Sequence, residues 1–304
     1  TMSRMKAAWR VRRRRVCGNC PAFNAVIQYV WRAAIIGTMQ LDRVLAMLAD
    51  NFWRMAPALF VLAALFAAKW RWPWRAAQPH RWLSNLALGA LSLLTVLALP
   101  LASMTAAAQW ASAQHFGLLN LVALPLWLSM LLSLLALDLA LYAQHRALHL
   151  PGLWRLHRVH HLDPMLDATS GVRFHPLEAA ASALYKSLVV LLLGAPLLAV
   201  SISVVLTTLA SLITHGNFRL PMHVDALLRW LFITPSLHRI HHSTRPAETA
   251  SNFGSVLWVW DRLFGSSRPA AQDGEALTFG VQNHPPETLL GKLLLEPFNR
   301  GQVQ

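Results

Sequence analysis

Three short clusters of histidine are the residues in this sequence best able to do chemistry. They read His145-Arg-Ala-Leu-His149, His157-Arg-Val-His160-His161 and His238-Arg-Ile-His241-His242. Residues three or four positions apart share one face of a helix, and neutral imidazole is a common ligand for iron, zinc and copper. The spacing therefore predicts three helical segments that each direct several imidazoles towards bound metal.

The number of histidines indicates two metal ions rather than one. The clusters supply eight imidazoles, more than a single octahedral ion can bind. Two ions would use about eight to ten ligands and leave positions open for a small substrate such as dioxygen. His175, in Phe174-His-Pro, and His215, in Thr214-His-Gly, are candidates for the ninth and tenth ligands.

Two residues that precede the first cluster are candidate catalytic residues. Asp138 and Tyr142 are at helical spacing from His145 and His149, so the four side chains fall on one face. Asp138 ends a long uncharged run, where a carboxylate is costly. A hydrogen bond accepted from a ligating histidine would explain it; the alternative is a helix-end residue that reaches water. Asp261 is expected to order a loop.

Other interpretations of the histidines remain open. Haems could be held by histidines on opposite faces, but the adjacent pair His160-His161 has no role in such a site. A membrane hydrolase with two zinc ions is a second interpretation, and a non-catalytic metal transporter or sensor is a third. Transporters bind their cargo near the bilayer midplane, whereas these clusters lie outside the apolar runs, which argues against transport.

The composition indicates a protein largely in contact with lipid. The chain has 304 residues, of which 55% are hydrophobic and 13% charged, with a mean hydropathy of +0.40. A soluble domain carries about 25% charged residues, so the composition excludes a disordered chain and argues against an ordinary soluble enzyme. The net charge of +14 fits anionic lipid headgroups, and no nucleic-acid partner is expected. Cys17 and Cys20 cannot form a disulfide framework.

The apolar runs predict an all-α, multi-pass membrane protein with a cytosolic, histidine-rich helical cap. Residues 1–50 are expected to form a basic arm or a membrane-associated segment, residues 51–270 the membrane-embedded domain, and residues 271–304 a tail. Spans are predicted near 51–69, 82–103, 117–140, 177–193 and 196–214, with an outer turn near 104–115. Because the basic, Trp-rich loop 69–81 is typical of a cytoplasmic loop, the histidines are placed on that side too.

The positions of the clusters constrain the fourth apolar run, Ser187–Thr214. Histidines flank this run on both sides, so the chain must cross the membrane twice between them, or not at all, if they share one site. Gly194-Ala-Pro196 interrupts the run. A first helix from about Leu177 to Leu193 and a second from Pro196 to Thr214 would each be about 25–28 Å long, short but able to span. The sequence therefore predicts a helical hairpin whose two ends lie beside the histidines.

Over about residues 80–270 the chain resembles the fatty acid hydroxylase / sterol desaturase superfamily of integral-membrane diiron enzymes. The resemblance is carried by Asp138…Tyr142…His145-Arg-x-x-His149, His157-x-x-His160-His161, Phe174-His175-Pro176-Leu-Glu178, Thr214-His215-x-Asn217 with Leu220-Pro221, Pro235-x-x-His238-Arg-x-His241-His242-Ser243, Asn252-Phe-Gly254 and Trp260-Asp261-x-x-Phe264-Gly265. It implies a helical membrane protein whose cytosolic cap holds two metals. It also implies an O2-dependent hydroxylation, desaturation or ether-cleaving oxidation of a lipid.

We therefore expect a non-haem diiron oxygenase that uses two iron ions and O2, although zinc could replace iron on purification. The ten named histidines are the expected metal ligands. The substrate is expected to be a sterol-like, fatty acyl or ether lipid that enters from the membrane. Two electrons must come from an external donor, such as a ferredoxin or a small haem carrier with its reductase, because the sequence contains no flavin, haem or iron–sulfur motif.

Overall fold

The computed structural model describes Ala63, Ala67, residues 71–99 and residues 103–299. Within these residues the regular structure is helical, with only isolated β-bridges besides, so the all-α prediction is confirmed. The predicted arm 1–50, with Cys17 and Cys20, and nearly all of the predicted span near 51–69 lie outside the described residues.

The described helices are, in chain order, α1 Trp82–Leu97, α2 Met104–Ala113, α3 Leu126–Leu148, α4 Pro151–His161, α5 Pro176–Leu193, α6 Leu197–Thr214, α7 Met222–Leu228, α8 Pro235–His241, α9 Pro246–Thr249, α10 Val259–Leu263 and α11 Leu290–Leu295. Short 3-10 turns lie at Pro79–Arg81, Leu118–Asn120, Ser170–Val172, Gly274–Ala276 and Glu296–Phe298. Among the described residues, α3, α5 and α6 are long and apolar enough to cross a membrane.

Helices α5 and α6 form the expected hairpin, and their bounds lie within a residue of the predicted 177–193 and 196–214. Gly194 ends α5 with a φ of 69°, a left-handed conformation that glycine adopts without steric cost. Its backbone also lies against Gly117, where an added Cβ would come within 2.3 Å of the Gly194 nitrogen. The amide of Asn120 donates to the carbonyls of Phe116 and Gly194 and closes this corner.

The region before α3 differs from its prediction in two ways. The expected outer turn near 104–115 is wrong, because those residues form α2, which Ser103 caps by accepting the Ala106 N–H at 3.1 Å. The apolar core of α2 packs against α3 and α5 through Ala107, Trp110, Leu137 and Val190. The third predicted span, 117–140, begins later, after Pro125, and extends to Leu148.

The ends of the three apolar helices lie beside histidines. Helix α3 carries His145 within its last turn, and α4 follows directly after it. Helix α5 begins after His175, and α6 ends immediately before His215. The three apolar helices therefore deliver their histidine-bearing ends to one side of the molecule, as the hairpin prediction requires.

A buried network of charged side chains holds the segment between α4 and α5. The guanidinium of Arg81 pairs with Asp163 and, at 2.6 Å, with Asp167. Arg173 donates to the Asn85 side chain and to the carbonyl of Val159, each within 2.9 Å. Buried charges are stable only when paired and hydrogen-bonded in this way, so the network fixes the loop that precedes α5.

The C-terminal residues that were predicted to be a tail pack against α1 and α4 as far as they are described. Leu293 is fully buried against Leu88 of α1 and Val159 of α4. Glu296 pairs with the buried Arg158 guanidinium at 2.6 Å. This segment closes the side of α4 that faces away from the histidines of the site.

Candidate metal centre

Nine of the ten predicted ligands come together in two neighbouring groups. Site A consists of His145, His149, His157, His161 and His241, and site B of His160, His215, His238 and His242. Within each group, one nitrogen of every imidazole lies within 4.8 Å of the others. Imidazoles from distant stretches of chain therefore converge as the spacing predicts.

Each His-x-x-His-His motif contributes to both sites. On α4, the residues four apart, His157 and His161, point to site A, whereas His160 points to site B. On α8 and the residue after it the pattern is reversed, because His238 and His242 belong to site B and His241 to site A. Adjacent histidines thus serve different sites, which gives the paired histidines a role.

The two sites are in direct contact. The rings of His161 in site A and His242 in site B stack with their centroids 4.3 Å apart and an interplanar angle of 19°. The ring of His157 in site A lies 5.3 Å from that of His160 in site B. The sites therefore form one continuous cluster of imidazoles, with two groups of ring nitrogens side by side.

In site A, three histidines donate one ring N–H to an oxygen behind them. Nδ1 of His145, His157 and His241 lies 2.8 Å from the carbonyl of Phe253, a carboxylate oxygen of Glu178 and the carbonyl of Ser251, respectively. These bonds place the proton on Nδ1 and leave an acceptor lone pair on Nε2. All three Nε2 atoms are buried without a hydrogen-bond partner among the described residues. Such an arrangement is typical of histidines that bind metal through Nε2.

In site B the Nε2 atoms of neighbouring histidines face each other. Nδ1 of His160 donates to the carbonyl of Arg173 at 3.2 Å, and Nδ1 of His215 donates to the carbonyl of Ser211 at 2.7 Å. The Nε2 atoms of these two rings lie 3.1 Å apart, so two lone pairs face each other. His238 Nε2 lies a further 3.0 Å from His215 Nε2. A cation between these nitrogens would turn the repulsion into coordination, and the residues therefore fit a metal.

Burial keeps the imidazoles in the neutral form that binds metal. It lowers the pKa of His241 to about 3, with proximity to His157 adding to the effect. Burial also lowers the pKa of His215 to about 4, against the hydrogen bond to Ser211, which raises it. The pKa of His160 falls well below its ordinary value because of burial and the neighbouring His215. Neither His160 nor His215 therefore carries a proton on Nε2 at neutral pH.

A family model described as fatty acid hydroxylase matches residues 130–266, the stretch that contains all nine histidines of sites A and B. The match assigns residues 130–266, rather than the whole chain, to the fatty acid hydroxylase family.

Curated relatives agree with this assignment. The chain is 32% identical over 181 residues to the ornithine lipid hydroxylase OlsE of Rhizobium tropici, an overlap of 58% of this chain and 52% of the relative. It is 28% identical over 160 residues to the alkylglycerol monooxygenase of Danio rerio and 24% identical over 160 residues to that of Homo sapiens, overlaps of 51% of this chain and 33% of each relative. The chain thus spans about a third to a half of these relatives. No solved structure is a match.

One predicted ligand of this fatty acid hydroxylase domain lies outside both sites. His175 caps α5, where its Nδ1 accepts the backbone N–H of Leu177 at 3.1 Å. Its Nε2–H donates to the carbonyl of Leu294 at 3.2 Å. Both ring nitrogens are thus used, because Pro176 starts the helix directly after His175 and turns the imidazole towards the helix end. We replace the metal-ligand interpretation of His175 with this capping role.

The two predicted catalytic residues of the domain do not touch the histidine nitrogens. The expected hydrogen bond from a histidine to Asp138 is not formed. Its carboxylate accepts the backbone N–H groups of Val256 and Leu257, each at 3.2 Å, and the indole N–H of Trp260 at 2.9 Å. The hydroxyl of Tyr142 lies 2.9 Å from the Ser266 hydroxyl. Both residues therefore position the segment from residue 256 to residue 266, which follows α9 and includes α10.

Asp261 orders a loop, as the sequence indicated, and through it a ligand. Its two carboxylate oxygens accept the backbone N–H groups of Phe253 and Gly254, each at 2.8 Å. The carbonyl of the same Phe253 holds His145. Asn252, with a φ of 53°, lets the chain turn sharply at this point. The loop is thus fixed on one side by Asp261 and presents an acceptor to site A on the other.

Several residues that support the site were given no role in the sequence analysis. Glu178 orients His157, and the carbonyls of Arg173 and Ser251 orient His160 and His241. Glu178 could have been found as a carboxylate in the first turn of an apolar helix, where burial demands a partner. Backbone carbonyls give no residue-type signal, so no reading of the sequence could have located those two.

Proposed function

We propose that this protein is a membrane-bound, O2-dependent lipid oxygenase in which sites A and B hold two iron ions. The single observation that carries the proposal is the sharing of each His-x-x-His-His motif between two adjoining groups of buried imidazoles. The match of residues 130–266 to the fatty acid hydroxylase family and the similarity to lipid hydroxylases and monooxygenases support it.

The donor set favours iron over zinc. Site A offers five imidazoles, more than the tetrahedral shell that zinc prefers. Imidazole suits iron, and an octahedral ion would keep an open position in site A and further ones in site B. Neither group includes a carboxylate. Glu178, bound to His157, is the acidic group closest to compensating the charge of the ions.

The proposed reaction inserts one oxygen atom into a lipid. A C–H bond, O2, two electrons and two protons yield a C–OH group and water. The metals, when bound, supply activation of dioxygen; the chain supplies the ligands and a dry pocket. Phe253 packs its ring against His145, His149 and His241 at centroid distances of 5.0–5.6 Å. Phe174 stacks on His160 at 4.7 Å, so aromatic rings exclude water beside both sites.

The apolar helices below the sites would hold the lipid chain. A cavity of about 110 Å³ lies among α3, α5 and α6. Leu141, which lines it, is one helical turn, about 6 Å, from His145. The cavity is lined mostly by apolar side chains, together with Lys186 and three hydroxyl residues. A hydrocarbon chain from the bilayer can occupy it while a carbon nearer the headgroup meets the metals.

The substrate, orientation and electron donor are part of the proposal. Ornithine lipids and alkylglycerols, taken from the names of the relatives, are the first substrates to examine. We place sites A and B at the cytoplasmic membrane face, where a ferredoxin or a small haem carrier supplies the electrons. Hydroxylation, desaturation and ether cleavage share the same hydrogen removal, and lipid analysis distinguishes them.

Two measurements test the proposal. Lipid extracts from cells with and without the full chain are compared by mass spectrometry, and we expect a gain of one oxygen or a loss of two hydrogens. The purified protein is assayed for iron and for oxygen uptake with and without a reductant. Stoichiometric zinc with oxygen-independent lipid cleavage would replace the proposal with a hydrolase. Turnover with dioxygen but no reductant would refute the need for a donor.

A further inference from the structure

We propose that an apolar surface outside the candidate spans is embedded in the lipid on the same side as the metal centre. This surface, here called the lipid-facing layer, is formed by Met222, Leu227, Trp230, Leu231, Leu263 and Phe264. Four of these side chains are strongly exposed: Met222 86%, Leu227 71%, Trp230 74% and Leu263 66%. Exposed apolar patches of this kind mark interaction sites. The proposal rests on the membrane placement stated above.

The depth of the layer follows from its attachment to α3. Asp138 accepts the backbone N–H groups of Val256 and Leu257 and the indole N–H of Trp260. Asp138 precedes His145 by seven residues, about 10 Å along the helix axis. Apolar residues continue on α3 on both sides of Asp138. The segment around residue 260 is therefore bound to a candidate span well below the histidines, on the membrane side of the metal centre.

The rest of the layer is joined to this segment by backbone hydrogen bonds. The N–H of Ile233 donates to the carbonyl of Val256 at 3.0 Å, and the N–H of Trp258 donates to the carbonyl of Leu231 at 2.8 Å. The residues that follow α7 must therefore lie at the depth of Val256 and Trp258. Their exposed side chains face outwards at a level where a spanning α3 is surrounded by lipid.

The charges at the margin of the layer favour lipid over a soluble partner. Arg262 donates to the Trp230 carbonyl and places its guanidinium 5.3 Å from the centre of the Trp258 ring. Arg229 pairs with Asp225 at 2.6 Å on α7. Tryptophan and arginine beside exposed leucines are typical of segments at the headgroup boundary, where basic side chains meet anionic lipid.

The layer brings lipid next to site A. Phe264, half exposed within the layer, stacks on Tyr142 at 5.5 Å. Tyr142 packs edge-on against Phe253 at 6.4 Å, and Phe253 covers the site A histidines. A row of aromatic rings thus leads from the proposed lipid contact to the metal centre. A membrane lipid would approach the metal centre from the side along this row.

Spin labelling in a bilayer tests the inference. In the full chain with C17S and C20S, nitroxides are attached to L227C and L263C and reconstituted in phosphatidylcholine–phosphatidylglycerol vesicles. The rate at which each nitroxide collides with oxygen, which concentrates in lipid, is compared with the rate at which it collides with a water-soluble nickel chelate. L131C on α3, an exposed leucine of a candidate span, is the control for lipid; Q282C, an exposed polar site, is the control for water.

We expect L227C and L263C to match L131C, with several-fold more oxygen contact relative to nickel than Q282C. A match with Q282C would overturn the inference and would leave the surface to a soluble protein or a second copy. Iron content and lipid turnover are measured on the same samples. If the labels at L227C and L263C contact water while the protein is active and loaded with iron, the lipid contact of the layer is refuted but the proposed function is not. If the label at L131C contacts water, the membrane placement on which the layer depends is refuted.

Discussion

Glu178 and His157 form a buried pair, with His157 Nδ1 and the carboxylate oxygen 2.8 Å apart. The pair joins the first turn of α5 to the second histidine cluster on α4, across the loop held by Arg81 and Arg173. It is also the direct contact through which a carboxylate reaches a proposed site A ligand. A substitution that keeps the shape of the Glu178 side chain separates the role of this carboxylate from that of the histidine ligands.

The variant E178Q retains the size of the side chain but removes its negative charge. We expect iron affinity to fall about 10- to 100-fold, because a carboxylate partner makes a ligating imidazole more basic. The measurement is iron retention during titration with a chelator. E275Q is the matched control, since Glu275 is exposed and pairs only with the exposed Arg219 among the described residues. Equal iron retention in both variants would contradict the prediction.

Replacing His241 and His175 separately tests which histidines bind metal. H241A should lose site A iron and all turnover, since His241 has a free, buried Nε2 that faces the group. H175A should keep full iron content and lose about 1 kcal/mol of stability, as removal of a helix cap does. Iron analysis and thermal unfolding distinguish the two. Loss of iron in H175A with the fold intact would restore His175 as a ligand.

Removal of the proposed metals should destabilise the helices that carry the histidines. Without a cation, the His160 and His215 Nε2 lone pairs face each other at 3.1 Å, and binding to the folded state alone stabilises it by about 3 kcal/mol at 100 times the dissociation constant. Thermal unfolding in detergent with and without a chelator measures the effect, and re-addition of ferrous iron should reverse it. An unchanged melting temperature would argue that the sites are empty in the native protein.

The variant D138A should loosen the loop between α9 and α10. It leaves two backbone N–H groups and the Trp260 indole without their acceptor, and each buried unpaired donor costs about 1–3 kcal/mol. We expect faster proteolysis between residues 250 and 265 and lower turnover with iron content retained. S201A, which removes an exposed hydroxyl bonded within α6, is the control. If iron is lost in D138A while proteolysis is unchanged, Asp138 acts on the metal centre instead.

The parts of this molecule that follow from local patterns were predictable. His-x-x-His-His marks a helix face with metal ligands, and Gly194-Ala-Pro196 marks the break of a hairpin, because both signals depend on residues close in the chain. Helix α2 was not predicted, because the absence of charged residues in this alanine-rich segment was taken to indicate an outer turn. Ser103 at its start was the signal that identifies a helix.

The parts that depend on tertiary structure were not predictable. Spacing places His160 and His161 on a helix, but only the position of α8 decides that they face different groups. His175 lies in a motif that suits a ligand, yet Pro176 directs its ring to the end of α5 and to Leu294. The sequence left Asp138 either bound to a histidine or reaching water; a loop more than a hundred residues away supplies its donors instead.

The alternation of neighbouring histidines between sites A and B would fix the separation of the two proposed ions. His160-His161 and His241-His242 each straddle the pocket, so the separation of the metals is tied to the length of a peptide unit at two places. Neither ion could shift, or be exchanged for one of another size, without disturbing the ligands of its companion. Loading and loss of the pair should therefore be cooperative, and a form of the protein with a single ion should be short-lived.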